Sequence, residues 1–406
     1  MEKVKEICQK IENRLCSVHI GCFRGRKEPL LLISESYPGI WLEHVYDSVF
    51  YAQMDRSKLY LAENTIRLFI RYQKEDGQFP CYIWDGARVN LPDEELIGYG
   101  QIQECVSYAA LAYRVYTMNR KREFLEEVYA ACRKWENWLR KSRMTRATGL
   151  VEMFCGYDTG HDNSGRLEGI SCHGNYVKDG KLMNAAQLPP EDGITPIVAV
   201  DMNCNFYATL KALEAMADEL GYREEAADWR NKAAEVKKKL FALCYDEEDN
   251  FFYDVDKKGN PRKYLSSTIF HLFMEGVLDS REDREMIEKI FHRYIANEKH
   301  FATPYPYPAM SVSDPSWKKH TDRNCWGYFS QGLIALRCTL WMDKYGYSDE
   351  MDHLCRQFVK GWTDCFDDFK LGQELDPVTG KPSASSEWYS SCMLMYLYSA
   401  KRLGLR

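Results

Sequence analysis

The sequence lacks several features that would place it in a common class of proteins. No stretch approaches the length of an apolar membrane span, and the first residues, MEKVKEICQKIENRLC, carry charges where a secretory signal has an apolar core. The 15 cysteines show no CxxC pair and no Cys/His ligand spacing, and an odd, unpatterned number is typical of reduced thiols. We therefore expect a cytoplasmic protein without a membrane segment.

Signals for nucleic acids, phosphates and metals are also missing. A net charge of −6 over 406 residues is not the clustered basic footprint of a nucleic-acid-binding protein. There is no phosphate-cradling Gly-rich loop, no GxSxG and no Cys/His nucleophile signature. Since His44, His161 and His173 have no metal-ligand spacing, we expect neither a metal nor a cofactor.

Aromatic residues, by contrast, are abundant: they make up 14% of the chain, with 27 Tyr and 10 Trp. Several stand beside Gly, Pro, Asp or Asn rather than on helical faces, among them Tyr37, Trp84, Tyr157 and Trp326. Such residues often only anchor a loop. They also suit a sugar- or ring-binding cleft, because the ring stacks while its polar tip forms hydrogen bonds.

Helical periodicity recurs along most of the chain. It predicts an amphipathic helix and then one or two strands up to about Leu32, a helix from Ser57 that stops at Asp76, a helical hairpin turning at Gly221 and another near Gly346. The stretches SSTIFHLFMEGVL and REDREMIEKIFHRYI are also predicted to be helical. Long polar or aromatic loops separate the pairs, unlike the short fixed periods of solenoids. The pattern favours a closed all-α toroid with a cleft lined by loops.

The stretch GYDTGHDNSGR, residues 156–166, is the first that could carry chemistry. A general acid working near neutral pH needs a raised pKa, which an apolar wall such as Tyr157 or Phe154 could supply to Asp158 or Asp162. Asp, Asn, Gly and Ser in one run are also the composition of an ordinary turn. Composition alone leaves both aspartates as candidates.

Two further stretches carry carboxylates. LGQELDPVTGKPSASSEWYSS, residues 371–391, contains Glu374 and Glu387, although Glu387 also suits the first turn of the last helix. YPGIWLEHVYDSVFYAQM, residues 37–54, places Glu43, His44 and Asp47 among aromatics, where Asp47 could cap a helix or hold sugar hydroxyls. Two carboxyls flanking a bond are the minimum apparatus of glycoside hydrolysis.

Taken in order, these stretches resemble segments of the (α/α)6-barrel glycoside hydrolases of the trehalase and family 63 group. They are most similar to its short bacterial mannosylglycerate-hydrolase-like and α-glucosidase-like members. The resemblance runs from about Tyr37 to the C-terminus. It implies an (α/α)6 toroid, a six-hairpin barrel, over residues 37–406, with residues 1–36 as a helix and strand extension packed on it.

The resemblance also implies roles for individual residues. YDTGHDNSGR is similar to the family's W-[DE]-[ST]-G-x-D-N-S-P-R, in which the aspartate before Asn-Ser, here Asp162, is the general acid. The segments YPGIWLEHVYDSVFYAQM, GYGQIQECVSYA and VDMNCNFYATLKALEAMADELG resemble the family's W-D-S-x-F, Q-P-P and D-x-N-x-x-L-Y. The substrate site that we expect comprises Trp41, Asp47, Gln101, Tyr157, Asn163, Arg166, Asp201, Trp326 and Trp388.

Two departures from the family pattern affect the expected chemistry. The family's Y-W-R-G-P-V-W has become NCWGYFS, so Trp326 stands where an arginine is usual. The general-base segment, usually E-x-Y-[DN]-P-x-T-G, is here QELDPVTG, so that Gln373 takes the glutamate's place and Glu374 follows it. Since an amide cannot deprotonate water, either Glu374 in a shifted loop or Glu387 would have to supply the base.

The sequence thus predicts an inverting glycosidase for a small α-linked glycoside, a glucoside by resemblance, with only a small carbohydrate as partner and no nucleic acid or membrane. Asp162 would protonate the leaving oxygen, and Glu374 or Glu387, roughly 6.5–9.5 Å away, would activate water. One alternative is a carbohydrate-binding or degenerate barrel that lost its base at Gln373. A second is a sugar epimerase or lyase on the same fold, which would pair histidines in the cleft.

Overall fold

The computed structural model describes residues 1–89, 95–184, 187–318, 326–383 and 387–406. Helices dominate these residues. They are α1 (Glu2–Arg14), α2 (Val45–Met54), α3 (Leu59–Arg71), α4 (Tyr108–Asn119), α5 (Arg122–Arg143), α6 (Val200–Leu220), α7 (Arg223–Cys244), α8 (His271–Met274), α9 (Arg284–Ile290), α10 (Gly332–Cys338), α11 (Met342–Tyr345), α12 (Ser348–Cys365) and α13 (Ser390–Arg402). Helices that follow one another in sequence pack together, as α2 does with α3, α4 with α5, and α6 with α7.

Short strands connect the helices. They are β1 (Ile20–Gly21), β2 (Leu30–Leu31), β3 (Gly39–Trp41), β4 (Tyr82–Asp85), β5 (Glu95–Gly98), β6 (Glu152–Met153), β7 (Asn175–Lys178), β8 (Lys181–Asn184), β9 (Ile197–Val198), β10 (Tyr245–Asp246), β11 (Phe251–Phe252), β12 (Asp254–Val255), β13 (Pro261–Arg262), β14 (Ser330–Gln331) and β15 (Glu374–Leu375). They form two-stranded ribbons, a three-stranded sheet β3-β4-β5 and a four-stranded sheet β13-β12-β9-β6.

The hairpin predicted to turn at Gly221 is present. Helix α6 ends where Gly221 takes the left-handed conformation, with φ 86°, and its N–H donates to the carbonyls of Ala217 and Asp218. Glycine adopts this conformation without the steric penalty that a Cβ brings. The amphipathic α7 then starts at Arg223 and packs along α6.

Other helices are shorter than periodicity predicts. Helix α3 ends at Arg71, five residues before Asp76. The stretch SSTIFHLFMEGVL forms a 3-10 turn followed by the single turn α8, because Gly276 takes φ 70° and ends the helix. In REDREMIEKIFHRYI, α9 passes into a π-helical turn at Phe291–Ile295. Apolar spacing is retained through such turns, so it does not reveal them.

The N-terminal stretch forms the predicted helix and strands. Helix α1 buries Val4, Ile7, Cys8 and Ile11 and packs against α12 and α13. Strands β1 and β2, which follow it in sequence, pair antiparallel, and β2 packs against α2 and α3. Within the described ranges no helix is long and apolar enough to cross a lipid bilayer.

The sheet β3-β4-β5 brings aromatic residues together. Its register sets Trp41 opposite Tyr82 and Gly39 opposite Trp84. Position 39 requires glycine, because a Cβ there would lie 2.2 Å from the carbonyl oxygen of Ile83. Of the segment NCWGYFS, residues 324–325 lie outside the described ranges, and Trp326 onward is described.

Candidate active site

An aromatic wall lines one side of a cavity of about 510 Å³. Tyr82 and Trp84 on β4 stack with ring centroids 4.3 Å apart, and Trp41 on β3 lies 5.5 Å from Trp84. Tyr37 meets Trp41 edge-on at 5.0 Å. Flat apolar faces beside polar groups are what a sugar ring requires of its site.

Asp162 lies in this cavity, half-buried, directly after the loop that follows the 3-10 turn Gly156–Asp158. Its Oδ1 has no hydrogen-bond partner among the residues that the structure describes. Burial raises the pKa of this carboxyl well above its ordinary value, and the charge of Glu43 raises it further. Asp162 is therefore a cavity-lining carboxyl that holds its proton to higher pH than an ordinary aspartate does.

Glu43 is the second carboxyl of the cavity wall among the described residues, and sequence reasoning did not select it. It lies in the 3-10 turn Leu42–His44, and its side chain is buried. Burial raises the pKa of Glu43 to about 7 against the opposing charge of Arg337. The sequence feature that could have indicated Glu43 is its position as an acidic residue among aromatics at a loop-to-helix junction.

Gly160 explains how the motif GYDTGHDNSGR approaches Glu43 so closely. It takes φ 71°, and a Cβ at this position would lie 2.6 Å from Glu43 Oε2 and 2.3 Å from Cys105 Sγ. The Cys105 thiol in turn donates to Glu43 Oε2 at 3.4 Å and to the Thr159 carbonyl at 3.0 Å. A residue without a side chain thus lets the loop that carries Asp162 pack onto Glu43.

Asp158 has a different role from Asp162. It is fully buried and accepts hydrogen bonds from Arg143 Nη1 at 2.5 Å, from the backbone N–H of Ile102 and Phe154 at 2.8 Å, and from that of Cys155 at 3.2 Å. These bonds tie the motif to α5 and to the segment before α4. Asp158 holds the loop, and it does not line the cavity.

We expect Asp158→Asn to lower the free energy of unfolding by about 3–5 kcal/mol. The substitution leaves the buried Arg143 guanidinium without its negative partner, and breaking a buried ion pair on one side carries that cost. Urea unfolding followed by circular dichroism measures it. The exposed Asp228→Asn, which breaks only a surface pair with Lys232, should change stability by less than about 0.5 kcal/mol. Equal, small effects of both substitutions would contradict a structural role for Asp158.

The position that the family resemblance assigns to the general base is occupied by an amide, Gln373. Gln373 lines the cavity, and its Nε2 donates to the Tyr37 hydroxyl at 3.1 Å. The next residue, Glu374, starts β15 and is fully buried, and its carboxylate accepts hydrogen bonds from Gln331 Nε2 and from Ser383 Oγ at 2.8 Å. Successive residues of an extended chain face opposite sides, so Gln373 and Glu374 do not share the cavity.

The other predicted site residues divide into two groups. Trp41, Gln101, Tyr157 and Trp326 line the cavity. The cavity wall does not include Glu387, which is exposed, or the residues Asp47, Asn163, Arg166, Asp201 and Trp388.

Local contacts account for several of these positions. The Asp47 carboxylate is buried and accepts from the hydroxyls of Ser390 and Ser391 at the start of α13. Trp388 packs edge-on against Phe366, 5.8 Å between centroids, with the Arg14 guanidinium over its ring. These side chains join the start of the last helix to the rest of the molecule, and they are not part of the cavity wall.

Arg166 and Asp201 belong to a buried ion cluster. The Arg166 guanidinium donates to Asp201 and, at 2.6 Å, to Asp254 Oδ2, and all three side chains are almost fully buried. Because these side chains bind one another, they do not reach the cavity. His161 lies beside the cluster, with Nδ1 3.7 Å from Asp201 Oδ2.

Histidines are present both in the cavity and beneath it. His44 and His173 line the cavity, whereas His161 and His271 are buried behind Trp326. Donor atoms of His161, Asp201 and His271 lie within 4.8 Å of one another, close enough to be considered as metal ligands. Burial, followed by nearby guanidinium charge, lowers the pKa of both histidines, and the same charge opposes a bound cation.

Comparisons with known proteins agree with the helical fold described above. The sequence model of the mannosylglycerate hydrolase MGH1-like glycoside hydrolase domain matches residues 46–390. The GH63 mannosylglycerate hydrolase from Thermus thermophilus in complex with glucose superposes with a TM-score of 0.72 at 17% identity, covering 97% of this chain and 99% of that one. Neutral trehalase Nth1 from Saccharomyces cerevisiae gives a TM-score of 0.68 at 14% identity, covering 92% and 73%.

These similarities confirm the predicted all-α toroid, since likeness at such low identity shows the fold. A curated relative, an uncharacterized protein from Borreliella burgdorferi, is 23% identical over 262 residues. That match covers 64% of this chain and 47% of the relative, so the chain spans about half of that protein's length.

Proposed function

We propose a specific reaction for this chain, which belongs to the mannosylglycerate hydrolase MGH1-like glycoside hydrolase family: hydrolysis of a small α-linked glucoside with inversion at the anomeric carbon. The family and the toroid make it a glycosidase. The observation that carries the specific proposal is Asp162, a carboxyl of raised pKa with one unpartnered oxygen among the described residues, set in a cavity with an aromatic wall.

Asp162 would act as the general acid. Bond cleavage leaves a poorly stabilised alkoxide unless a proton reaches the glycosidic oxygen in the transition state. Burial and the nearby Glu43 carboxylate both hold the proton on Asp162. The pair Glu43–Asp162 thus resembles other acid sites in which a neighbouring negative charge raises the pKa of the donor.

The cavity would bind one small glycoside. Its volume of about 510 Å³ lies within the range of sites for small molecules. Trp41, Tyr82 and Trp84 offer ring faces for stacking, and Gln101 and Tyr157 offer polar groups for hydroxyls. A glucoside is favoured because the mannosylglycerate hydrolase of the same fold was solved in complex with glucose.

The site is less well equipped to activate water than to protonate the leaving group. Gln373 and the hydroxyl of Tyr37 can orient a water, but an amide cannot remove its proton. Glu374 would have to leave both Gln331 and Ser383 to reach the cavity. We therefore expect slow hydrolysis, in which departure of the protonated leaving group precedes most of the attack by water.

A second candidate function follows from the same amide. A barrel that binds a glycoside without hydrolysing it would keep the aromatic wall and lose the base, as the presence of Gln373 in the cavity suggests. A panel of α- and β-linked glucosides, with product anomers followed by NMR and binding by calorimetry, distinguishes the two. Release of β-glucose from an α-glucoside supports inverting hydrolysis. Binding without release supports the second candidate, and release of α-glucose contradicts inversion.

The pH dependence of this activity should report the Glu43–Asp162 pair. The acid must be protonated, so kcat/KM should fall as pH rises through the raised pKa of Asp162. Glu43→Gln removes a negative charge beside Asp162 and so lowers that pKa; the alkaline limb should move down by roughly one pH unit. A pH–rate profile of both proteins measures it. An unmoved alkaline limb, or a shift to higher pH, would contradict the coupling.

A further inference from the structure

Arg337, on α10, is a buried cation without a direct counter-charge among the described residues. Its side chain is 3% exposed, and its Nε and Nη2 have no hydrogen-bond partner within the described part of the chain. The Trp326 ring lies beside it, with the ring centroid 5.5 Å from Cζ. Because a guanidinium does not lose its proton in a protein, it needs a partner of opposite charge.

The neighbouring carboxyls do not supply this partner. Arg337 acts on Glu43, Asp47 and Glu275 at a distance, but none of them forms an ion pair with it among the described residues. Each has other contacts: Glu43 with the thiol of Cys105, Asp47 with two serines of α13, and Glu275 with the backbone N–H of Ser107 at 3.2 Å. Burial raises the pKa values of Glu43 and Glu275 to about 7 and 8, so these two carboxyls are only partly charged near neutral pH. The pKa of Asp47 is raised to about 6, but its carboxylate already accepts from two serines.

A second buried residue with an unpartnered nitrogen, His161, lines the same small cavity as Arg337. His161 is 2% exposed, and its Nε2 has no hydrogen-bond partner in the described ranges. Its Nδ1 lies 3.7 Å from Asp201 Oδ2, too far for a hydrogen bond that would keep the ring proton on that side. The Nε2–H form is therefore accessible, and it would donate to an acceptor in this space.

Arg337 and His161 line one small cavity, together with Ser267 and His271 and with the apolar side chains of Phe270, Met274, Ile334 and Trp341. Its volume of about 10 Å³ is at the lower limit for one water-sized particle. Phosphate, sulfate or a sugar carboxylate would not fit. Charge and donors select an anion, and the size restricts it to a single atom; chloride, slightly larger than water, would require a small shift of the flexible Met274 side chain.

We propose that this cavity binds one monatomic anion, chloride under physiological conditions, between the Arg337 guanidinium and His161 Nε2. The anion would neutralise the buried cation and accept hydrogen bonds from the unpartnered nitrogens of both residues. Trp326, which stacks on His161 at 4.1 Å and also lines the sugar cavity, lies between the two spaces. Anion binding would thereby support the floor of the sugar site without contact with the sugar.

Bromide tests the proposal on the unaltered protein. Crystals grown in sodium bromide, with data collected at the bromine absorption edge, should show an anomalous peak within about 3.5 Å of Arg337 and His161. Thermal unfolding at fixed ionic strength should give a midpoint that rises by about 1–3 °C and saturates as bromide or chloride replaces gluconate. The site is refuted if the peak is absent at this position and the midpoint shows no saturable dependence on halide, which is the result expected for a bound water.

Matched variants locate the effect. Arg337→Gln should abolish the saturable response, whereas Arg230→Gln, which removes an exposed arginine paired with Glu214, should retain it. A response that survives in Arg337→Gln would place the halide elsewhere and overturn the proposal. If Arg337→Gln does not fold, the anomalous peak in the unaltered protein decides the question by itself.

Discussion

Asp162→Asn should lower kcat for glucosides with poor leaving groups by about 10²–10⁴-fold, with little change in KM. The asparagine amide keeps the shape of the side chain and cannot transfer a proton to the glycosidic oxygen. Asp162 is the carboxyl whose position and raised pKa suit proton donation into the cavity. Initial rates on a series of aryl glucosides, from poor to good leaving groups, measure the loss.

The leaving-group series separates an acid from a residue that merely supports the site. A leaving group that departs without protonation, such as fluoride, should reduce the deficit of Asp162→Asn to roughly tenfold or less. The surface variant Asp228→Asn should match the unaltered protein throughout. A deficit of equal size for every leaving group would point to a structural defect, and equal activity would remove Asp162 from the mechanism.

The helical hairpins were predictable because their periodicity extends over many residues. Helices α6 and α7, joined at Gly221, have 21 and 22 residues. Over that length, a periodic stripe of apolar residues can be distinguished from chance spacing. The short elements were not predictable in this way. Helix α8 has four residues, and its identity depends on a left-handed glycine and on buried neighbours rather than on its own pattern.

Within the candidate site, some roles follow from a local sequence motif, whereas others depend on contacts between residues far apart in sequence. A local motif singled out Asp162, but only packing shows that Asp158 is bound to Arg143 while Asp162 faces the cavity. Arg166 resembled a substrate-binding residue, yet its partners Asp201 and Asp254 lie 35 and 88 residues away in sequence. Single-sequence reasoning cannot see such pairings, since nothing local marks them.

The same limit explains why the sequence did not indicate a role for Glu43. Its importance depends on the approach of Gly160, more than a hundred residues further along, and on the Cys105 thiol between them. The family resemblance selected Asp47, and not Glu43 or His44, as the substrate-binding residue of this aromatic stretch. The fold turns Asp47 towards α13 and Glu43 towards the cavity, and so decides which of them can influence Asp162.

Gln373→Glu should raise the rate of hydrolysis by about 10²–10⁴-fold and release the inverted anomer. The substitution places a carboxylate on the cavity wall where the amide now stands, almost without change of volume. The Tyr37 hydroxyl, which accepts from Gln373 Nε2 at 3.1 Å, can turn and donate to the new carboxylate. NMR of the products, recorded before mutarotation, measures rate and stereochemistry together.

Glu374→Gln is the matched control, since it makes the opposite exchange, from carboxylate to amide, at the next residue. Its carboxylate accepts from Gln331 and Ser383, so the amide should cost about 1–3 kcal/mol of stability through a lost acceptor and leave the chemical step unchanged. Loss of hydrolysis in Glu374→Gln, with no gain in Gln373→Glu, would instead make Glu374 the base and require β15 to rearrange. An unaltered protein that only binds, together with an active Gln373→Glu, would establish the second candidate function, because a single amide would then separate a binding barrel from a glycosidase.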